Sequence, residues 1–218
     1  MPPEPQTKRA NVFIDGQNLF YGVKDAFGYT YPNYDPCRLA ENICRALGCE
    51  PGKVHFYTGI PAVEDNPRWN AFWQGKLTDM DERSVIVYAR PLKYRNAVFL
   101  LPDGSTVTEP VGQEKGIDVR IALDVVCQAR ENCYDVAVVF SQDQDLSEMA
   151  GEVKRISVAQ DRWIKVVSAF PLSPSTPNAR GINGTEWYPF DRAFYDACID
   201  YQDYRPDFQA VSSTTENR

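Results

Sequence analysis

The sequence has very few of the residues that build zinc sites or disulfide frameworks. It contains a single histidine, His55, and six cysteines, none of which form a C-x-x-C pair. Zinc sites need His and Cys ligands at regular spacing, so no zinc site is expected. We expect the thiols to be reduced and to act as small apolar side chains, and His55 to be a structural residue of a strand.

Long apolar segments are also missing. No apolar run reaches the roughly 18 residues that a membrane-spanning helix needs, and the N-terminal MPPEPQTKR has no apolar stretch of the kind found in secretory signals. These absences predict a cytoplasmic protein with no membrane partner.

The length and composition are those of one ordinary globular domain. The chain has 218 residues, of which 43% are hydrophobic, and no internal repeat or domain-scale linker is evident. We predict a disordered lead over residues 1–9, a single domain over 10–201 and a polar tail over 202–218.

Apolar strands alternate with helices along this domain. Strands are predicted at residues 11–14, 53–58, 85–89, 134–140 and 163–170, and helices at 18–26, 36–47, 67–82, 116–130, 146–158 and 190–199. A β-hairpin over 97–108, turning at Asp103-Gly104, is inserted before the helix at 116, and residues 171–184 read as a loop.

This alternation predicts an α/β fold, because parallel neighbouring strands need a crossover connection. We expect a doubly wound, mainly parallel, five-stranded sheet. If the chain winds outward from the first strand and then returns to its other side, the strand order is 3-2-1-4-5. Strands one and four are then neighbours at the point where the winding reverses.

Four aspartates are placed to meet at that point. Asp15 directly follows the first strand, Asp143 and Asp145 follow the fourth, and Asp118 lies in the first turn of the preceding helix. Ligands of open α/β sheets bind beyond the carboxyl ends of strands where the winding reverses. An ordinary charge at a helix start is the alternative explanation for Asp118 and Asp145.

Carboxylates that converge repel one another unless they are protonated or bind a cation. Oxygen-only ligands suit Mg²⁺ or Mn²⁺, which share their coordination with water and substrate phosphates. The pattern therefore predicts a divalent metal site and, through it, hydrolysis by in-line phosphoryl displacement.

The acidic balance bears on possible partners. With 30 acidic and 23 basic residues the formal net charge is −7, which argues against non-specific nucleic-acid binding. If four of the acidic residues hold a cation, 26 remain against 23 basic ones, and the metal can bridge to phosphate. The charge argument is then weaker, and nucleic acid stays a candidate substrate.

Three segments resemble the signature blocks of NYN domains, which belong to the PIN-like nuclease superfamily and include LabA-type bacterial proteins. The blocks are Phe13–Leu19, Lys115–Val119 and Val138–Leu146, in the order in which the family has them. Where the family often has glycine and phenylalanine in the third block, this chain has Gln142 or Gln144 and Leu146, which bears on loop shape and access.

The resemblance implies a PIN-like fold and Mg²⁺- or Mn²⁺-dependent hydrolysis of phosphodiester bonds, usually in RNA. It implies that Asp15, Asp118 and Asp143 are metal ligands, with Asp145 as a fourth ligand or a neighbour of the ligands. It further implies that Asn18 orients Asp15 or holds a metal-bound water, and that Ser141 braces the Asp143 loop. Asp124 matches an acid of the second block's continuation, but its spacing from Asp118 turns it away, so we expect it to be structural.

Basic residues near an aromatic ring are candidate contacts for single-stranded RNA. Lys93 and Arg95 flank Tyr94 before the hairpin, and Lys115 lies three residues before Asp118. A solvated loop is the alternative for the first pair. Trp69 and Trp73 share a helix face and are expected in the core, and Arg180 in the late loop is undecided.

The main functional hypothesis is thus a metal-dependent endoribonuclease. The alternative is a non-catalytic regulatory or RNA- or protein-binding module that keeps the fold, acting through a second copy or a regulatory protein. A phosphatase is disfavoured because no D-x-D-x-T follows the first strand, and a dinucleotide site because G-x-G-x-x-G is absent.

Overall fold

The computed structural model describes residues 2–206. Its eight strands are β1 (Arg9–Asp15), β2 (Glu50–Ile60), β3 (Ile86–Pro91), β4 (Lys93–Leu100), β5 (Thr106–Gln113), β6 (Val136–Phe140), β7 (Lys165–Pro171) and β8 (Glu186–Phe190). Its α-helices are α1 (Gly16–Phe27), α2 (Pro36–Leu47), α3 (Pro67–Glu82), α4 (Ile117–Arg130), α5 (Ser147–Ala159) and α6 (Arg192–Asp196).

Six parallel strands form the central sheet, in the order β3-β2-β1-β6-β7-β8. Ile14 of β1 lies between Phe56 of β2 and Phe140 of β6, so the carboxyl ends of the three strands meet at one edge. The predicted α/β class and the order of its five strands are confirmed. The prediction of five strands was wrong by one, because β8 adds a sixth at the edge beside β7.

The missed strand is short and lies at one edge of the sheet. Four of its five residues are at least partly exposed, and it contains Pro189, which an edge strand tolerates. Phe190 pairs with Pro171, and Asp191 then caps α6 by accepting a hydrogen bond from the Phe194 backbone N–H. The helix predicted over 190–199 is therefore shorter at both ends.

The two faces of the sheet bury separate clusters. On one face Val12 and Ile14 pack with apolar residues of α1, α2 and α3. On the other, Phe13 packs with the stripe Ile117, Ile121 and Val125 of α4 and with α5. This alternation along β1 is the two-residue period of a strand. Side chains on both faces of β1 are therefore packed in the core.

The hairpin stands apart from this sheet as an antiparallel pair of β4 and β5. It is longer than the predicted 97–108, because the pairing extends from Leu100 and Thr106 down to Lys93 and Gln113. Lys93 and Arg95 therefore belong to a strand and not to a loop. Because the polar residues at the base of the hairpin are exposed, the hydrophobic pattern of the sequence does not predict this part of the strand.

His55 has the structural environment predicted for it, and the cysteines range from buried (Cys44 and Cys198) to exposed (Cys127). His55 is buried, stacks on Phe13 with ring centroids 4.9 Å apart, and hydrogen-bonds Gln128, as its predicted strand role requires. Burial lowers the pKa of His55 to about 4, so it is neutral at pH 7. All six cysteines are free thiols.

At the termini, β1 begins at Arg9, inside the lead predicted over 1–9. Tyr204, which falls in the predicted tail over 202–218, is buried against Phe72, and residues 207–218 lie outside the described part of the chain. Within residues 2–206, no helix combines the length and apolarity that crossing a bilayer requires.

Candidate metal centre

Asp15 is the residue at which β1 ends and α1 begins. Its Oδ1 accepts a hydrogen bond from the Asn18 backbone N–H (3.1 Å), which makes Asp15 the N-cap of α1. Its Oδ2 accepts a hydrogen bond from Ser141 Oγ (3.2 Å). The carboxylate is buried and held at both oxygens, so its position is determined by β1, α1 and the loop after β6.

The loop after β6 is hydrogen-bonded to Asp15 and Asn18. Ser141 Oγ accepts a hydrogen bond from the Asp143 backbone N–H (3.1 Å), and Asn18 Oδ1 accepts one from the Gln142 backbone N–H (2.9 Å). Ser168 of β7 donates to the Ser141 carbonyl (2.7 Å). Asn18 and Ser141 thus link the Asp15 and Asp143 segments into one hydrogen-bonded unit.

Asp118 reaches this edge from the side, in the first turn of α4. The turn into α4 passes through Gly116, whose φ of 72° lies in the left-handed region that favours glycine. Asp118, Asp15 and Asp143 line a common cavity of about 640 Å³, which we call the carboxylate cavity. The structure therefore brings together three of the four predicted aspartates.

Glu114 is a fourth carboxylate in the carboxylate cavity, and the sequence analysis missed it. It lies between β5 and α4, four residues before Asp118, and its Oε1 accepts a hydrogen bond from the Gly59 backbone N–H at the end of β2. The only sequence signal was an acid just before the second signature block. Asp25 of α1, another acid that was not predicted, also lines the cavity.

The electrostatics of these groups show that they interact. The pKa of Asp15 is raised to about 6, chiefly by burial; the nearby Asp143 and Asp118 contribute to the rise, and the hydrogen bonds from Asn18 and Ser141 oppose it. Burial raises the pKa of Glu114 to about 7, with Asp15 and Asp118 adding to the effect. Mutual repulsion of clustered carboxylates is what a bound cation would relieve.

Other predicted site residues lie outside the carboxylate cavity. Asp145 is exposed in a 3₁₀ turn before α5, where its backbone N–H donates to Asp143 Oδ1 (3.0 Å), and it lines a surface groove between α4 and α5. Lys115 is exposed beside Glu114, and Lys93 and Arg95 are exposed on β4. Arg180 lies beyond the cavity, which its neighbour Asn178 lines.

Asp124 has the structural environment that its spacing predicted. It accepts a hydrogen bond from the Tyr57 hydroxyl (2.9 Å) and forms an ion pair with Arg120 (2.7 Å), one turn earlier on α4. It is not among the residues that line the carboxylate cavity.

The donor set of the cavity fits a hard divalent cation. Across residues 2–206, no three Asp, Glu, His or Cys side chains stand close enough to hold a metal ion without moving. The chemistry is nevertheless suitable, since carboxylates are the ligands that Mg²⁺ and Mn²⁺ prefer and the buried Asp15 carries a charge that burial disfavours. Asp118 and Asp143 are half-buried and line the same cavity as Asp15.

Known proteins that are similar to this chain include a domain family and a solved structure. The family model described as "NYN domain" matches residues 9–179 of the chain. Among solved structures, a protein of unknown function from Vibrio parahaemolyticus RIMD 2210633 is similar, with 19% sequence identity and a TM-score of 0.49 over 87% of this chain and 97% of that one. No curated protein matches the chain.

Proposed function

The chain belongs to the NYN domain family, within the PIN-like nuclease superfamily, and from this premise we propose that it is a metal-dependent ribonuclease. The observation that carries the proposal is the carboxylate cavity, where Asp15 is buried and held at both oxygens beside Asp118, Asp143 and Glu114. The proposed reaction is hydrolysis of RNA phosphodiester bonds.

Asp15, Asp118 and Asp143 are the residues that would hold Mg²⁺ or Mn²⁺. When bound, such an ion would supply the positive charge that makes water easier to deprotonate, and so a better nucleophile for the phosphodiester, and that stabilises the leaving oxygen. Asp145, exposed and outside the cavity, is no longer the best fourth ligand. Glu114 lines the cavity beside the three aspartates, where it would act on the attacking water and not as a metal ligand.

The remaining residues would position these groups or move protons. Asn18 and Ser141 keep Asp15 and the Asp143 segment in register through their hydrogen bonds. One oxygen of Glu114 is held by the Gly59 N–H, and the other would accept the proton of the attacking water. Lys115 is the proposed contact to a phosphate at the cavity's edge.

The test is degradation of single-stranded RNA by the purified chain with Mg²⁺ or Mn²⁺ and with chelator. We expect cleavage only with metal, and loss of cleavage in Asp15→Asn, Asp143→Asn and Glu114→Gln variants that remain folded. Asp145→Asn is the matched control and should cleave like wild type. Inactivity of the wild type across metals and RNAs would instead favour the non-catalytic module.

A further inference from the structure

A second cavity, of about 470 Å³, adjoins the carboxylate cavity. We call it the aromatic cavity, because its walls include five aromatic rings: Phe20, Tyr21, Trp69, Trp73 and Tyr94. The two cavities share four lining residues, Gln17, Tyr21, Gly112 and Glu114. A molecule that occupies the aromatic cavity therefore lies next to the carboxylate cavity, with Glu114 at the border of the two.

The rings of this cavity differ in how far they are available to a ligand. Trp73 is only 8% exposed and packs on Phe56 and Phe72, so it belongs to the core as predicted. Tyr21 is 51% exposed and Tyr94 36% exposed, and Trp69 is half-buried. Rings that keep this much surface in contact with water can stack on a planar ligand without disturbing the core.

The cavity is also nearly free of charge. Glu114, at the border with the carboxylate cavity, is the one ionisable acid or base among its described lining residues. Polar groups are supplied by Gln17, Thr58 and Asn66. This combination is unsuited to a phosphate group, and it suits a neutral, flat molecule with hydrogen-bonding groups at its edge.

The inserted hairpin builds one wall of the aromatic cavity. Tyr94 of β4 and Leu92 just before it line the cavity, together with Pro110 to Gly112 of β5. Because side chains alternate along a strand, Lys93 and Arg95 point to the other face of the hairpin. The hairpin thus presents an aromatic residue to the cavity and places its basic residues elsewhere.

We propose that the aromatic cavity binds one unpaired nucleobase of the RNA substrate, next to the phosphate that is cleaved. The proposal rests on the proposed ribonuclease function and specifies its substrate. Bases of single strands can be splayed out and stacked on aromatic side chains, whereas a paired base must first leave its duplex. The cavity therefore selects single-stranded RNA.

The experiment compares two phosphodiesters that differ in having bases. One is a short single-stranded oligoribonucleotide, and the other is a ribose–phosphate chain of the same length without bases, both assayed with Mn²⁺. Tyr94→Ala removes an exposed ring of the cavity, and Tyr94→Phe keeps the ring without its hydroxyl. Tyr201→Ala is the matched control, since Tyr201 is 85% exposed and packs on Arg38, away from both cavities.

We expect Tyr94→Ala to lower kcat/KM for the oligoribonucleotide by roughly five- to a hundred-fold, the usual effect of losing one stacked base. Turnover of the ribose–phosphate chain without bases should not change, and Tyr94→Phe and Tyr201→Ala should behave as wild type. With an oligoribonucleotide that has an abasic ribose at the bound position, wild type and Tyr94→Ala should cleave equally. Equal losses on both phosphodiesters, or no loss on RNA, would overturn the proposal.

A separate measurement keeps this inference distinct from the proposed function. If the wild type cleaves neither phosphodiester, fluorescence anisotropy of the labelled oligoribonucleotide reports binding alone. Weaker binding by Tyr94→Ala than by Tyr201→Ala would support the base site even though catalysis had failed. Equal binding by the two variants would reject the base site. Equal binding is also the result expected if the aromatic cavity binds a protein ligand instead.

Discussion

At the scale of single residues, Asp15 is the clearest conflict between stability and proposed function. It closes a buried strand, its pKa is raised to about 6 chiefly by burial, and Asp143 and Asp118 repel its charge. Burying a charge costs free energy unless it is paired, so a buried carboxyl group beside two other carboxylates indicates a function. A cation would compensate this cost.

Asp15→Asn should therefore stabilise the metal-free protein at pH 7 to 8. The ordinary pKa of an aspartate is 3.8 and that of folded Asp15 about 6, so its contribution to stability is fully present below pH 3.8 and is lost as the pH rises to 6. At about 1.4 kcal/mol per pKa unit, the gain above pH 6 is roughly 2–3 kcal/mol. Asparagine can still accept the capping hydrogen bond from Asn18.

Thermal unfolding in chelator, at pH 4 and pH 8, measures this effect. The gain of Asp15→Asn should appear at pH 8 and shrink at pH 4. Asp191→Asn is the matched control, because Asp191 caps α6 in the same way and is exposed. A variant Asp15→Asn that is less stable than wild type at pH 8 would contradict the account.

At the scale of secondary-structure elements, the site depends on how closely β2, the hairpin and α4 approach. Gly59 near the end of β2 touches this junction, and a Cβ atom built there would lie 2.6 Å from Cγ of Glu114 and would also collide with Leu92. The absence of a side chain at Gly59 allows its N–H to hold Glu114 and lets the hairpin base pack on β2.

Gly59→Ala should displace Glu114 and reduce metal-dependent cleavage while the sheet persists. Overpacking of this kind usually lowers stability by about 1–3 kcal/mol, which thermal unfolding will show. Gly151→Ala is the control, because Gly151 lies in α5 with open space where the Cβ would go. Alanine there should retain activity and stabilise the helix by about 0.5–1 kcal/mol. Full activity in Gly59→Ala would argue against a role for Glu114.

At the scale of the whole molecule, the net charge of −7 is explained in part by the carboxylate cavity. Asp15, Asp118, Asp143, Glu114 and Asp25 bring five acidic residues to one opening. A divalent cation lowers their mutual repulsion, so it should stabilise the folded protein more than the unfolded chain.

Mn²⁺ should raise the melting temperature of the wild type. At about ten times the dissociation constant the gain is about 1.4 kcal/mol, or roughly 3–6 °C for a protein of this size. Differential scanning fluorimetry should show a smaller shift for Asp143→Asn and a wild-type shift for Asp145→Asn. Of these two residues, Asp143 lines the carboxylate cavity and Asp145 does not. Equal shifts in wild type and Asp143→Asn would reject the site even if RNA were cleaved.

The parts of this protein that follow from sequence are those with local causes. The apolar strands, the helices between them and the reversal beside β1 predict the order of five of the six strands and place Asp15 and Asp143 at adjacent strand ends. Hydrophobic period and strand-end position carry this information along the chain. The edge strand β8 carries little of either, because it has only five residues and one of them is Pro189.

The remaining features depend on contacts between segments far apart in sequence, which no local pattern encodes. Glu114 enters the carboxylate cavity because Gly59, 55 residues earlier, supplies a hydrogen bond. Asp145 lies outside the carboxylate cavity because the 3₁₀ turn after Asp143 places it in the surface groove between α4 and α5. The sequence by itself thus determined the sheet and its two central aspartates, while tertiary packing decided which further carboxylates join them and placed the aromatic rings alongside.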